Sequence, residues 1–313
     1  MGTEIYLDSH ASFFPKCLHA WMGWIEAKWT RRRYGLLMVL PCVAVLASLM
    51  IVPLIYELAL SFHEWVWGSG LGWMFNWGLS YVKVLTDPRF STSLYNTLII
   101  GGSSLALEFA IGFALAFLLN REIRGRSVLV AAFTSPMMLI PVMVAHLWRI
   151  MYFQGSGPID PIVKSVLGYS ILWLQDPWAS KFANVFANTW EWAPFTMLIL
   201  LAGFTAIPVT LYEAARVDGA SSWQMFTRIT LPMARPLIVL ALLIRAMEEI
   251  KLFDVIYLIT TGGPGTETET VTLYIFRQAF QFLDMGKAAA SSFILLIIVT
   301  VIATVSIRYM YRP

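Results

Sequence analysis

The stretch "LIRAMEEIKLFDV", Leu243 to Val255, places Arg245, Glu248, Glu249, Lys251 and Asp254 inside an apolar run from Leu237 to Thr260. Such groups can pair with one another, hold a proton, or offer hydrogen bonds to a polar solute. In a bilayer each charge costs roughly 2.5–3.5 kcal/mol at mid-depth, so five unpaired ones would cost on the order of 12–18 kcal/mol. They cannot face lipid. Local pairing is open to them at separations of three or four residues: Arg245 with Glu248 or Glu249, Glu248 with Lys251, Lys251 with Asp254. At 100° per residue Arg245, Glu248 and Glu249 share a helix face and Lys251 and Asp254 turn away from it. Two roles stay open, the lining of a hydrated path and a structural ion network.

A second ionisable group of this kind is Glu191 in "NTWEWAP", Asn188 to Pro194, flanked by Trp190 and Trp192. Indole faces suit a pyranose ring, and a carboxylate accepts hydroxyl protons. Trp at a membrane boundary is the ordinary alternative. Trp190, Glu191, Arg245, Glu249, Asp254 and Tyr257 form the set expected to line a solute path. His146 and Arg149 are read as structural, and His63 with Glu64 as a loop pair. No Cys/His set has metal-ligand spacing, and Cys17 and Cys42 are too few for a disulfide framework. No nucleophile–base pair stands out, which argues against an intramembrane enzyme.

The elements that must carry these groups follow from composition. Of 313 residues 58% are hydrophobic and 13% charged, and mean hydropathy is +0.68. A soluble chain carries about 25% charged residues. Aromatic content of 14%, with 13 Trp, fits interfacial belts. A net charge of +3, with no basic tract interleaved with aromatics, points away from nucleic acid. Six apolar stretches, near 36–61, 94–119, 128–152, 182–206, 237–261 and 288–310, are long enough to cross a hydrocarbon core of about 30 Å. Backbone groups in lipid must be satisfied within the segment, so each is expected to be helical. The expected fold is an all-α polytopic bundle of six transmembrane helices, residues 36–313. Before it lies an N-terminal tail, 1–35, in which Leu18, Trp21, Ile25 and Trp29 recur at the spacing of an interfacial helix. Glu4, Asp8 and Glu26, with no apolar core before Arg31, argue against a signal peptide.

Orientation follows from basic residues in the loops. Arg31, Arg32, Arg33, Arg121, Arg124, Arg126, Arg216, Arg228, Arg235, Arg308 and Arg312 fall on one side. Lys83, Arg89, Lys164, Lys181, Arg277 and Lys287 fall on the other. The richer side is expected to be cytoplasmic, with both termini on it.

That side also holds a polar loop, 207–236, containing "EAARVDGASSWQMFTRITLP" from Glu213 to Pro232. Pro208 suits the first turn of a helix. Leu211, Ala214 and Ala215 then share a face small enough for close approach by a partner. Gly219 permits a left-handed turn, and Ser221 can cap a second short helix bearing Trp223, Phe226 and Ile229. Pro232 and Pro236 are expected to close that helix before the fifth span. Two short hinged helices result, suited either to a protein groove or to the headgroup layer.

Glu213-Ala214-Ala215, three residues, Gly219, nine residues, then Ile229-Thr230-Leu231-Pro232 resembles the "EAA…G…I.LP" signature of membrane subunits of binding-protein-dependent ABC importers. The string "EAARVDGAS…F..I.LP" and "FDVIYLITTGGPGTET", from Phe253 to Thr268, are similar to its carbohydrate (maltose-type) branch. The resemblance covers nearly the whole chain after the tail. It implies that Glu213, Ala214, Ala215, Asp218, Gly219 and Ala220 dock in a groove of a cytoplasmic ATPase subunit. It implies two such ATP-binding subunits carrying ATP and Mg, a second and related permease chain, and an extracytoplasmic substrate-binding protein, with lipid around the bundle. No cofactor is expected in this chain: a G-x-x-x-x-G-K-[ST] phosphate loop is absent, and "GGPGTE" at Gly262 lacks the lysine. The implied function is a non-enzymatic permease subunit of the cell membrane, passing a sugar, a polyol or a glycerol-phosphate by alternating access. An ion-coupled secondary transporter using the charges of the fifth span is the competing class.

Overall fold

The computed structural model describes residues 31–310 except Ser69, Leu71 and Glu122. The expected interfacial helix around 18–29 lies outside the described residues. The chain divides into two units, Met1–Ala59 and Leu60–Pro313. From the first, only α1 is described, a helix over Arg31–Ser61 whose apolar part, Met38–Ser61, is long enough to cross a bilayer.

The second unit opens with a feature absent from the sequence expectations, an antiparallel hairpin of β1 (His63–Glu64) and β2 (Met74–Phe75). Glu64 pairs with Lys83 at 2.6 Å. A short helix α2 (Leu79–Leu85) follows, then the long α3 (Pro88–Leu119), which Asp87 caps by accepting from the Arg89 N–H. On α3 the buried residues include Ser93, Thr97, Gly101, Ser104, Glu108, Gly112 and Ala116, spaced by three or four. Small side chains along one stripe allow close helix approach in lipid, where apolar burial gives little drive to associate. The partner is α7 (Pro177–Thr205). A Cβ on Gly112 would stand 2.8 Å from the Ala193 carbonyl oxygen and from the Thr196 Cβ, so only glycine permits this crossing.

Two expected spans are broken. The stretch 128–152 is α4 (Arg126–Thr134), a 3-10 turn (Pro136–Met138) and α5 (Pro141–Met151). Pro136 and Pro141 cause the breaks: neither donates a backbone N–H, and Ile140, before the second, is extended at ψ 133°. At 1.5 Å per residue, the 11 residues of α5 reach only about 16 Å. An amphipathic α6 (Ile159–Leu167) follows. The expected fifth span over 237–261 begins earlier and ends earlier. α9 (Ser222–Met225), a π-turn (Phe226–Thr230) and α10 (Leu231–Ile250) form one helical rod, Ser222–Ile250. Pro232 and Pro236 therefore do not separate a short helix from the span. The π-turn lets the Leu231 N–H reach back to the Phe226 carbonyl, a wider turn that shifts the register just where Pro232 lacks a donor. The rod stops at Ile250, and α11 (Asp254–Ile259) starts a new direction. The Leu252 carbonyl freed at the break accepts the Thr270 hydroxyl at 3.0 Å.

α8 (Val209–Val217) bends 61° away from α7. α12 (Val271–Phe280) and α13 (Met285–Met310) complete the unit. Among the described residues four helical stretches are long and apolar enough to span, five if α7 and α8 count as one bent span. The third expected span, 128–152, has no single helix behind it. Below α13, Glu269 is fully buried between Arg89, which binds it with Nε and Nη2 at 2.7 and 2.9 Å, and Arg277 at 3.0 Å. Beside it Asp87 accepts from Lys287 Nζ at 2.6 Å and from the Tyr274 hydroxyl at 2.8 Å. Burial pushes the Asp87 carboxyl up, but the bonds from Lys287, Tyr274 and the Arg89 N–H outweigh it and hold it below the usual range. Burial, then Asp87 itself, raises the Tyr274 hydroxyl.

Candidate polar site within the helix bundle

Arg245 leaves the rod α10 toward α3 rather than toward its own neighbours alone. Its Nε donates to Glu108 Oε2 at 2.8 Å and its Nη2 to Glu108 Oε1 at 2.9 Å, while Nη2 also binds Glu249 one turn on. All three groups are buried. Asn188, from α7, donates its amide to Glu108 at 3.0 Å and to both oxygens of Glu249 at 2.9 and 3.0 Å. Four groups on three helices thus close one network. The Trp192 ring lies 4.7 Å from the guanidinium carbon of Arg245, a cation–π contact that shields the cation without adding charge.

Against this network sits a cavity of about 110 Å³, whose polar lining is Asn188, Glu191, Trp192, Arg245, Glu248, Glu249, Lys251 and Asp254. That volume holds a few waters. Glu191 is fully buried, and neither of its carboxylate oxygens has a hydrogen-bond partner. Arg245 Nε and Nη2 and the Asn188 amide are directed at Glu108 and Glu249 instead.

Of the six residues expected to line a path, the structure brings Glu191, Arg245, Glu249 and Asp254 to this cavity. Trp190 and Tyr257 lie elsewhere. Trp190 packs edge-on against Trp148 at 5.7 Å, and Tyr257 lies parallel to Phe253 at 5.3 Å and against Phe276. Glu248 does not share the buried face: it is exposed and pairs with Lys251 at 2.7 Å. Lys251 and Asp254 form no pair because the helix ends between them. Sequence reasoning missed Glu108, the main partner of Arg245. Its signal was present, a lone acidic residue inside the apolar run 94–119. Among the described residues no group of three His, Cys, Asp or Glu could hold a metal ion.

The second expected site is α8 with the turn after it. Glu213, Ala214, Asp218 and Gly219 are exposed, Ala215 and Ala220 half-exposed, and no residue of α8 is buried. Gly219 adopts φ +77°, and its N–H donates to the Arg216 carbonyl at 3.1 Å. Ser221 and Gln224 form a reciprocal capping box that starts the rod. Val217 and Trp223, flanking the turn, are 87% and 71% exposed, an apolar end left without cover in this chain.

A polytopic helical bundle with a buried charged network and a bare helix–turn–helix end is a membrane transport component. The chain belongs to the family described as binding-protein-dependent transport system inner membrane component, whose model matches residues 108–312. It is 34% identical over 287 residues to the trehalose/maltose transport system permease protein MalF of Thermococcus litoralis, covering 91% of this chain and 95% of that one. Among solved structures it is similar to a chain of a bacterial ABC transporter involved in the import of the acidic polysaccharide alginate (TM-score 0.78, 26% identity, 93% of this chain and 98% of that one). It is equally similar to a chain of a bacterial alginate ABC transporter in complex with its alginate pentasaccharide-bound periplasmic protein (TM-score 0.77, 26% identity, 90% and 96%).

Proposed function

We propose that this chain is the membrane-spanning permease subunit of an ATP-driven importer, moving a sugar or related polar solute into the cytoplasm. The observation that carries this reading is the α8–Gly219–Ser221 end: a short, small-sided helix with no buried residue, joined by a left-handed glycine to a rod that reaches the charged network. A helix that buries nothing within its own chain gains stability from a partner. ATP and Mg belong to partner subunits, two of them, since this sequence has no phosphate loop. Glu213, Ala214, Ala215, Asp218, Gly219 and Ala220 would make the docking surface, and the basic loops place that end and both termini in the cytoplasm. A second, related permease chain would complete the path. An extracytoplasmic binding protein would deliver the solute, as the periplasmic protein in the alginate transporter's complex suggests. Glu191, Arg245, Glu249 and Asp254 would face the path, with Trp190 and Tyr257 outside its lining.

The test is Gly219→Pro in the assembled complex with its ATPase and binding-protein partners in proteoliposomes. Proline can neither adopt φ +77° nor donate to Arg216. Substrate-stimulated ATP hydrolysis should fall to the unstimulated rate while the complex still assembles; undiminished stimulation would refute the coupling role. ATP-independent uptake by the purified single chain would instead favour the ion-coupled reading.

A further inference from the structure

Relatives and structural neighbours whose names or titles carry a solute divide by charge: trehalose and maltose are neutral, alginate is acidic. The cavity has a sign of its own. Glu191, Glu248, Glu249 and Asp254 stand on its wall against Arg245 and Lys251. Lys251 is taken by Glu248. Arg245 is shared by Glu249 and by Glu108 immediately behind the wall. Asn188, the neutral donor at the site, is likewise engaged by Glu108 and Glu249. Among the described residues Glu191 and Asp254 form no direct ion pair. Glu191 is the sharper case, fully buried with two unpartnered oxygens at the cavity wall. A buried acceptor without a donor is costly, and a solute entering the cavity can supply that donor.

From this charge pattern, and resting on the importer reading above, we infer that the site takes a sugar rich in N–H or O–H donors and free of negative charge. Glu191 is its acceptor, and uronates and sulfonated sugars are excluded. A hydroxyl or ammonium group satisfies Glu191 directly. An added carboxylate meets Glu191 and Asp254 where both wall cations, Arg245 and Lys251, are already paired. At about 5 Å and an effective dielectric of about 20, one such repulsion corresponds to on the order of a hundredfold in affinity; water in the path lowers the expectation to about tenfold.

The experiment uses the assembled permease–ATPase complex in lipid nanodiscs, without the binding protein, whose own selectivity would mask the site. Methyl α-D-glucopyranoside, D-glucosamine and D-glucuronate are titrated in turn, and binding is read by saturation-transfer NMR. The glucoside and glucosamine should bind, and glucuronate about tenfold or more weakly. Glu191→Gln, which keeps shape and removes charge, should shrink that ratio to under about threefold. Glucuronate binding as tightly as the glucoside, or a ratio unmoved by Glu191→Gln, overturns the inference and leaves the importer reading standing. Failure of all three sugars to bind the wild-type complex overturns the sugar path itself. Where Glu191→Gln does not assemble, Asp254→Asn at the exposed side of the same cavity decides, with the same expected narrowing.

Discussion

Arg245→Met leaves Glu108 and Glu249 in the bundle without their shared cation. Arg245 makes three carboxylate contacts across two helices and is buried with both partners. Removing one member of a buried ion pair costs about 3–5 kcal/mol, because the remaining charge is stranded. Against a total stability of about 5–15 kcal/mol that is a large share. At roughly 2 °C per kcal/mol for a chain of this size, the unfolding midpoint should fall by about 6–10 °C. Thermal unfolding of the detergent-solubilised chain, followed by the monodisperse fraction on size exclusion, reads it. The diagnostic comparison is Arg245→Met with Glu108→Gln. The glutamine removes the stranded charge, and Asn188 still holds Glu249, so the double variant should recover at least half of the loss. Arg245→Lys should fall between, since it keeps the charge but not the two-pronged contact with Glu108. A single variant melting within about 1 °C of wild type would refute the network's structural role. Strictly additive losses in the double variant would show that Glu108 and Arg245 are not coupled.

Gly112→Ala should lower the midpoint, because its methyl group would meet the Ala193 carbonyl and Thr196 at 2.8 Å, an overpacking cost of about 1–3 kcal/mol. Gly102→Ala on the same helix, with nothing within 4 Å, is the control expected to melt as wild type or slightly higher in the same assay. Burial raises the Asp87 carboxyl, but Lys287, Tyr274 and the Arg89 N–H outweigh it and hold it below the usual aspartate range. A depressed carboxylate contributes stability that is fully present above its unfolded value and is lost as pH falls through the lower folded value. Stability should therefore drop from about pH 4 downward, and Asp87→Asn should remove part of that slope in melts taken from pH 6 to pH 2.

The helical class, the long spans and the Gly219 turn were legible because each rests on local rules: continuous apolar runs, one glycine, one capping pair at Ser221 and Gln224. The broken stretch 128–152 was legible in principle from Pro136 and Pro141, yet mean hydropathy hides a proline inside an apolar run. The end of the rod at Ile250 was not, since nothing in "EEIKLFDV" forbids helix. The Thr270 hydroxyl, eighteen residues on, makes the break tolerable, and such long-range compensation has no local signature. The same holds for Glu108. Composition showed that Arg245 must be paired, but helical spacing offered only partners within one turn. The bidentate partner comes from a helix 137 residues away in sequence. The π-turn at 226–230 shows the converse: two prolines that argue locally for a helix end are absorbed by one widened turn.

That absorption has a mechanical consequence. Because the helix runs unbroken from Ser222 to Ile250, the capped end beside Gly219 and the buried Arg245 belong to one rod, about 35 Å apart at 1.5 Å per residue. Gly219 is the flexible joint at one end, and the break at 251–253 frees the other. A displacement of α8 by a partner would reach Arg245 as a tilt or slide of this rod against α3, where Glu108 is fixed to a different helix. The bonds from Arg245 to Glu108 at 2.8 and 2.9 Å cannot survive a relative shift of more than about 1 Å in good geometry. Glu249 travels with Arg245 on the same rod, one turn away, and so keeps its partner through the movement. The network therefore divides into a contact that moves with the rod and a contact that must break. Glu108, buried and stripped of Arg245 in that second state, would retain only the amide of Asn188. Both states stay accessible only if water or solute reaches Glu108 when the rod moves, which would put the opening of the proposed path at the Glu108–Arg245 contact rather than at the exposed Glu248–Lys251 pair.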